Sequence, residues 1–203
     1  MTDRPWEGDI FARRMADGSV IECSRRRNHE LFGLIVGGYG LFGVVTSVKL
    51  RLAPRQKVER VVQLARMEHI VDGFEERIRD GYLYGDFQFS TAPEDRGFLV
   101  RGVFSCYRPV DPQTPIPPDQ IRLTPADWRR LLYLAHRNKQ RAFNEFATFY
   151  LQSSGQIYWS DTHQLSVYLD DYHGRLDEAL QPAVPGWEMI TELYVPRDRV
   201  AAF

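Results

Sequence analysis

The segment Gly37-Gly38-Tyr39-Gly40-Leu41-Phe42-Gly43-Val44-Val45-Thr46 decides how this chain is read. Its four glycines within seven residues remove side chains and open the positive-φ region, each at a cost of roughly 0.5–1 kcal/mol relative to alanine. A helix C-cap and a tight turn need only one or two of them. Two readings follow, a backbone that approaches a ligand and a backbone that merely turns. Gly38-Tyr39-Gly40-Leu41-Phe42-Gly43 also spells G-x-G-x-x-G. That dinucleotide fingerprint works between a strand and a following helix, whose N-terminus meets the pyrophosphate. Here the order is inverted. Leu31, Leu34 and Ile35 form a helical stripe leading in, and Val44 to Leu52 leads out as a strand before Pro54. No acidic residue stands at the end of a following strand to hold a ribose, which argues against a nicotinamide fold.

Upstream, Ile10 to Met15 and Ser19 to Cys23 flank Asp17-Gly18, the spacing of a hairpin with its turn pair. Asn28 is the expected N-cap of the helix that ends at the glycines. Downstream, the pattern predicts a strand over Val61 to Ala65 and a helix over Met67 to Asp80. Strands are expected over Tyr82 to Ser90 and Phe98 to Tyr107. Pro109 to Pro118 is too punctuated for regular structure. Thr124-Pro125-Ala126-Asp127 opens a helix expected to run from Trp128 to about Tyr150. Gln152 to His173 is aromatic and weakly periodic, Glu188 to Val195 reads as a strand, and a helix starts at Pro196. The order implies an α+β architecture with a division near Arg55, giving regions 1–55 and 56–203.

The chain has 203 residues and a net charge of −1, so no basic field invites nucleic acid or anionic lipid. Arg25-Arg26-Arg27 is too short a run to change that. Cys23 and Cys106 lie far apart without metal-ligand neighbours, and no H-x-x-x-H or E-x-x-H spacing occurs, so neither a disulfide framework nor a metal site is expected. No apolar run approaches the roughly 20 residues of a membrane span. Met1 to Gly8 lacks the plan of a signal peptide, and a cytoplasmic protein is the expectation.

Three stretches together carry a resemblance: Ala16-Asp17-Gly18-Ser19-Val20-Ile21-Glu22-Cys23-Ser24, Asn28-His29-Glu30-Leu31-Phe32, and the glycine segment through Thr46 with Leu50-Arg51-Leu52. Their order and spacing resemble the end of the FAD-binding domain in FAD-linked oxidases of the vanillyl-alcohol-oxidase superfamily (PCMH-type domain). Cytokinin dehydrogenases, aldonolactone and alditol oxidases and decaprenylphosphoryl-ribose oxidase belong to it. Gly186 to Arg197 is similar to a strand of that family's substrate domain. The resemblance implies the C-terminal part of an FAD-binding domain over 1–55, followed by a partial antiparallel-sheet cap domain over 56–203.

By the same resemblance, Val45 is the FAD contact through its backbone, with Gly43, Val44 and Thr46 beside it, while Gly37, Gly38 and Gly40 shape the turn. Tyr158 is carried over as the tyrosine near a small-molecule substrate, and His163 is its neighbour as an acid–base candidate. Aromatic residues in an α+β interface are also ordinary core, so both readings of Tyr158 stand. The implied activity is oxidation of a CH–OH group in a small, sugar-like substrate by hydride transfer to flavin. The alternative is a non-catalytic α+β binding module derived from such an enzyme. The family's other glycine-rich loop, which cradles the FAD pyrophosphate, has no counterpart in Met1 to Phe11. The chain is therefore expected to be a fragment, inactive alone.

Overall fold

The computed structural model describes residues 8–14, 18–36, 38–50, 52–162, 169, 172–184, 186 and 193–203. The chain is α+β and divides into two compact units, Met1–Pro54 and Arg55–Phe203.

In the first unit, β1 (Gly8–Arg14) and β2 (Val20–Cys23) form the expected antiparallel hairpin. Gly18, at φ +84°, takes the left-handed conformation that the turn demands. The strand after the glycines, β3 (Val44–Leu50), pairs with the other edge of β1, giving the order β2-β1-β3. Helix α1 (His29–Ile35) lies between them in sequence. Asn28 does not cap it as expected. Its backbone is left-handed (φ 49°, ψ 46°), and its side-chain amide instead donates to the Glu22 carbonyl at 2.8 Å, tying the helix start to β2.

The second unit is built on a four-stranded antiparallel sheet in the order β5-β6-β4-β7. Its strands are β4 (Lys57–Arg66), β5 (Tyr84–Phe89), β6 (Arg101–Pro109) and β7 (Ile157–Trp159). Central β6 is buried on both faces from Gly102 to Tyr107. On one face α2 (Ile70–Arg79) packs its Ile70 and Phe74 against Phe104 and Cys106, with the Phe74 and Phe104 rings edge to face at 4.8 Å. On the other, α4 (Lys139–Gln152) sets Phe143, Ala147 and Tyr150 against Val62 and Val103.

The single helix expected from Trp128 to Tyr150 is two helices. Thr124 and Asp127 form a reciprocal capping box at the start of α3 (Pro125–Arg137). Asn138 then leaves helical geometry (φ −155°, ψ 83°) and caps α4, its Oδ1 accepting from the Arg141 N–H at 2.9 Å. Glu145 on α4 bridges Arg130 of α3 and its own Arg141, at 2.7 and 2.8 Å. A further helix, α5 (Tyr172–Leu180), which begins at the end of the aromatic stretch and which the sequence pattern did not announce, packs on α3. The strand expected over Glu188 to Val195 falls largely outside the described residues, and 193–196 carry no regular structure. Pro196 leads into a single 3-10 turn, Arg197–Arg199.

Gly102 shows how closely β5 and β6 approach. A Cβ there would lie 2.6 Å from the Phe87 ring and 2.7 Å from the Gln88 carbonyl oxygen. Gly102→Ala is expected to lower the stability of the second unit by about 1–3 kcal/mol, the usual cost of overpacking. A urea denaturation curve followed by circular dichroism measures it.

Candidate functional site

Two separate surfaces hold the sequence-derived candidates. The first is the glycine turn. Gly38 N–H donates to the Ile35 carbonyl at 3.1 Å, Leu41 N–H to Gly38 at 2.9 Å and Gly43 N–H to Gly40 at 3.2 Å. These bonds wind the chain from α1 into β3. A side chain at Gly38 would strike the Leu34 carbonyl, its Cβ only 2.1 Å away, so this glycine serves the turn itself. Gly40 and Gly43 take φ +79° and +117°, and a Cβ on Gly40 would meet open space. A concavity of about 290 Å³ is lined by Gly38, Gly40, Phe42, Gly43, Val44 and Val45. Gly37 lies outside the described residues.

From this turn emerges β3, the edge strand of its sheet among the described elements. Alternate residues of an edge strand direct N–H and C=O away from the paired neighbour. The ladder is also irregular at the candidate contact. Ile10 pairs with Val48, Ala12 with Ser47 and Arg13 with Val45, so the register slips at Ala12 and is restored one residue later. Val44, Val45, Val48 and Leu50 are all exposed, between 39% and 65%. An exposed run of this kind marks a surface that receives another apolar body. These residues suit a planar cofactor that is contacted by backbone groups and covered by small apolar side chains.

The second surface surrounds Tyr158. Arg60 on β4 occupies a core-facing position between Val58 and Val62 and is 2% exposed. Its Nε donates to the Tyr107 hydroxyl at 2.9 Å and one terminal nitrogen to Ser153 Oγ at 2.8 Å. The guanidinium carbon lies 4.7, 4.8 and 5.4 Å from the ring centres of Tyr158, Tyr150 and Tyr107. Beside it a cavity of about 270 Å³ is lined by Arg60, Gln120, Arg122, Phe149, Tyr158 and Trp159, among others.

Sequence reasoning missed Arg60. The signal was present, since the alternation Val58, Arg60, Val62 places a cation on the apolar face of a strand.

Tyr158 is half-buried, and its hydroxyl accepts from the Gln156 side-chain amide at 3.0 Å. Burial raises its pKa, and the nearby Arg60 charge offsets only part of that. The phenol is therefore a neutral hydrogen-bond donor at physiological pH and not a base. Trp159 carries the Arg55 guanidinium 4.3 Å above its ring, and Arg55 pairs with Asp161 at 2.8 Å. His163 lies outside the described residues. Among the described residues no cluster of His, Cys, Asp and Glu could hold a metal ion, and no helix is long and apolar enough to cross a membrane.

No protein-family model matches the sequence. Partial similarity links it to plant cytokinin dehydrogenases. Cytokinin dehydrogenase 1 of Arabidopsis thaliana is 46% identical over 37 residues, which are 18% of this chain and 6% of that protein. Cytokinin dehydrogenase 7 of Oryza sativa subsp. japonica is 40% identical over 48 residues, 24% of this chain and 9% of the relative. Cytokinin dehydrogenase 4 of the same rice is 25% identical over 121 residues, 52% of this chain and 20% of the relative. The matched stretches thus span 6% to 20% of these relatives. The chain is distantly similar to a class of dehydrogenases.

Buried titrating groups on the second unit set its response to alkali. Burial pushes the Cys106 thiol from 9.0 to about 12 and the Tyr150 phenol from 10.0 to about 12. Both folded values exceed the unfolded ones, so the fold favours the neutral forms. Their stabilising contribution is complete below the unfolded values and is lost as pH rises towards the folded ones. The urea midpoint is expected to stay level between about pH 7 and pH 8.5 and to fall steadily above about pH 9. A midpoint that stays level to about pH 11 would show that these groups are not buried.

Proposed function

We propose that this chain belongs to an FAD-dependent oxidoreductase. In this reading residues 1–55 are the C-terminal part of a PCMH-type FAD-binding domain and 56–203 part of its substrate domain. The observation that carries it is the edge strand β3. It leaves a turn whose glycines hold positive φ, pairs irregularly with β1 opposite Ala12 and exposes Val44, Val45, Val48 and Leu50. The similarity to cytokinin dehydrogenases supports the same class of chemistry.

FAD, when bound, supplies the acceptor for a hydride from a substrate CH–OH carbon. Within this proposal the backbone at Gly43 to Thr46 orients the flavin ring through hydrogen bonds. The open space at Gly40 lets the ring approach the chain. Tyr158, kept neutral by burial, can donate a hydrogen bond to a substrate oxygen. The hydroxyl proton leaves to a separate base, for which His163 is the candidate. The substrate is a small alcohol of sugar-like character.

The 203 residues contain no second glycine-rich loop to cradle the FAD diphosphate. Backbone N–H groups in such loops dominate phosphate affinity. The isolated chain is therefore expected to bind FAD weakly, well short of one tightly held flavin per chain, when free flavin is removed by gel filtration. A purified chain that retains stoichiometric flavin contradicts that expectation. For the reaction, flavin-saturated protein is mixed anaerobically with a panel of alcohols and amines. Bleaching of the visible flavin band by an alcohol is the predicted result, and absence of bleaching by every donor supports a non-catalytic module instead.

A further inference from the structure

The cavity beside β7 has a character that a neutral polyol does not explain. Two guanidinium side chains, Arg60 and Arg122, are among its lining residues, and no acidic residue is among the described ones. Arg60 is buried and held in place by Tyr107 and Ser153. Arg122 is different. It is exposed and makes no hydrogen bond or ion pair with any described residue, whereas Arg55, also beside Trp159, is paired with Asp161. Burial raises the pKa of the Tyr158 phenol, and the charges of Arg60 and, to a lesser degree, Arg122 act against that rise.

The segment that carries Arg122 is pinned at two points. The Gln120 side chain imitates a neighbouring strand: its amide donates to the Ile157 carbonyl at 2.9 Å and its oxygen accepts from the Ile157 N–H at 2.6 Å. The Gln156 amide donates to the Ile121 carbonyl at 3.1 Å and to the Tyr158 hydroxyl at 3.0 Å. Arg122 therefore follows directly on two anchored residues. The Tyr158 hydroxyl uses its lone pair for Gln156, while its own proton has no acceptor among the described residues. A phenolic donor and an unpaired guanidinium thus line one cavity, a pair of groups suited to an anionic oxygen.

Apart from Gln120 and Thr162 the rest of the wall is apolar, with Ile116, Ile121, Phe149, Ile157 and the Trp159 ring. A volume of about 270 Å³ lies just below the roughly 300–1,000 Å³ typical of ligand pockets, so the occupant is small.

We propose that this cavity binds a small aryl carboxylate, its carboxylate held by Arg122 and the Tyr158 hydroxyl and its ring by the apolar wall. This keeps the reading of residues 56–203 as the substrate side of an oxidoreductase, on which it rests for its biological sense, but replaces the sugar-like character proposed above with an aryl carboxylate at the Tyr158 cavity. The binding itself requires no flavin.

The test is calorimetric titration of the full chain with benzoate, with neutral benzamide and with inorganic phosphate. Benzoate is expected to bind saturably and at least about tenfold more tightly than benzamide or phosphate, the size of one good charge-assisted contact. Arg122→Gln is expected to weaken benzoate by about tenfold and leave the urea midpoint unchanged, because the exposed side chain holds no structural bond. Tyr158→Phe should weaken it as well, by a smaller factor.

Equal affinity for benzoate and benzamide overturns the proposal, as does preference for phosphate, an unaltered affinity in Arg122→Gln, or no benzoate binding at all. Such failures leave the flavin reading intact. Conversely, a chain that binds benzoate as described while FAD leaves residues 43–46 unaffected keeps this cavity and removes the flavin reading.

Discussion

The buried guanidinium of Arg60 is the interaction on which the second unit depends. Removing such an ion from water costs several kcal/mol unless its surroundings replace the lost hydration. Here three tyrosine faces and two hydroxyl oxygens surround it, drawn from β6, α4, the turn after α4, and β7. The main chain of Arg60 reinforces them, its N–H donating to Gln156 at 3.0 Å and its carbonyl accepting from Gly155 at 2.7 Å. One residue therefore sets where α4 ends, where the chain turns and where β7 lies. Because β7 carries Tyr158 and Trp159, the cavity inherits its geometry from that placement. Arg60 and Arg122 give the cavity its positive charge, and burial holds the Tyr158 phenol beside them in its neutral, donating form.

The first unit solves a different problem. Its strand β3 is exposed along its whole length, Val44, Val45, Val48 and Leu50 included, and its turn holds two glycines at positive φ with space at one of them. A turn that served only to reverse the chain would need no such opening. The G-x-G-x-x-G spelling is a chance consequence of packing these glycines between a helix and a strand. Its inverted context removes the nicotinamide reading, and the exposed edge strand favours a backbone-contacted flavin.

Much of the local structure was legible from residue chemistry. Gly18 marked the hairpin, Thr124-Pro125-Ala126-Asp127 marked the start of α3, and the β-branched run after Gly43 marked β3. What was not legible depended on partners distant in sequence. Asn138 ends one helix and starts the next, but an isolated asparagine within a continuous helical pattern does not show that. Asn28 was read as a cap because its side chain can bond locally, whereas the nearby Glu22 carbonyl offered a better partner. The cavity was hidden for the same reason. Gln120 recognises the backbone of Ile157 across 37 residues, and nothing in either local stretch announces the pairing. Tyr158 was found by resemblance, while Arg60 and Arg122, which give its surroundings their charge, were not.

The central claim is that the strand leaving the glycine turn is a flavin wall. Amide nitrogen–proton correlation spectra of the chain, recorded as FAD is added in excess, address it residue by residue. The account predicts the largest shifts at Gly43, Val44, Val45 and Thr46, with Gly40 also moving and the β4 amides around Arg60 unchanged. Amides of 43–46 that stay in place while others respond, or no response anywhere at saturating flavin, would contradict it.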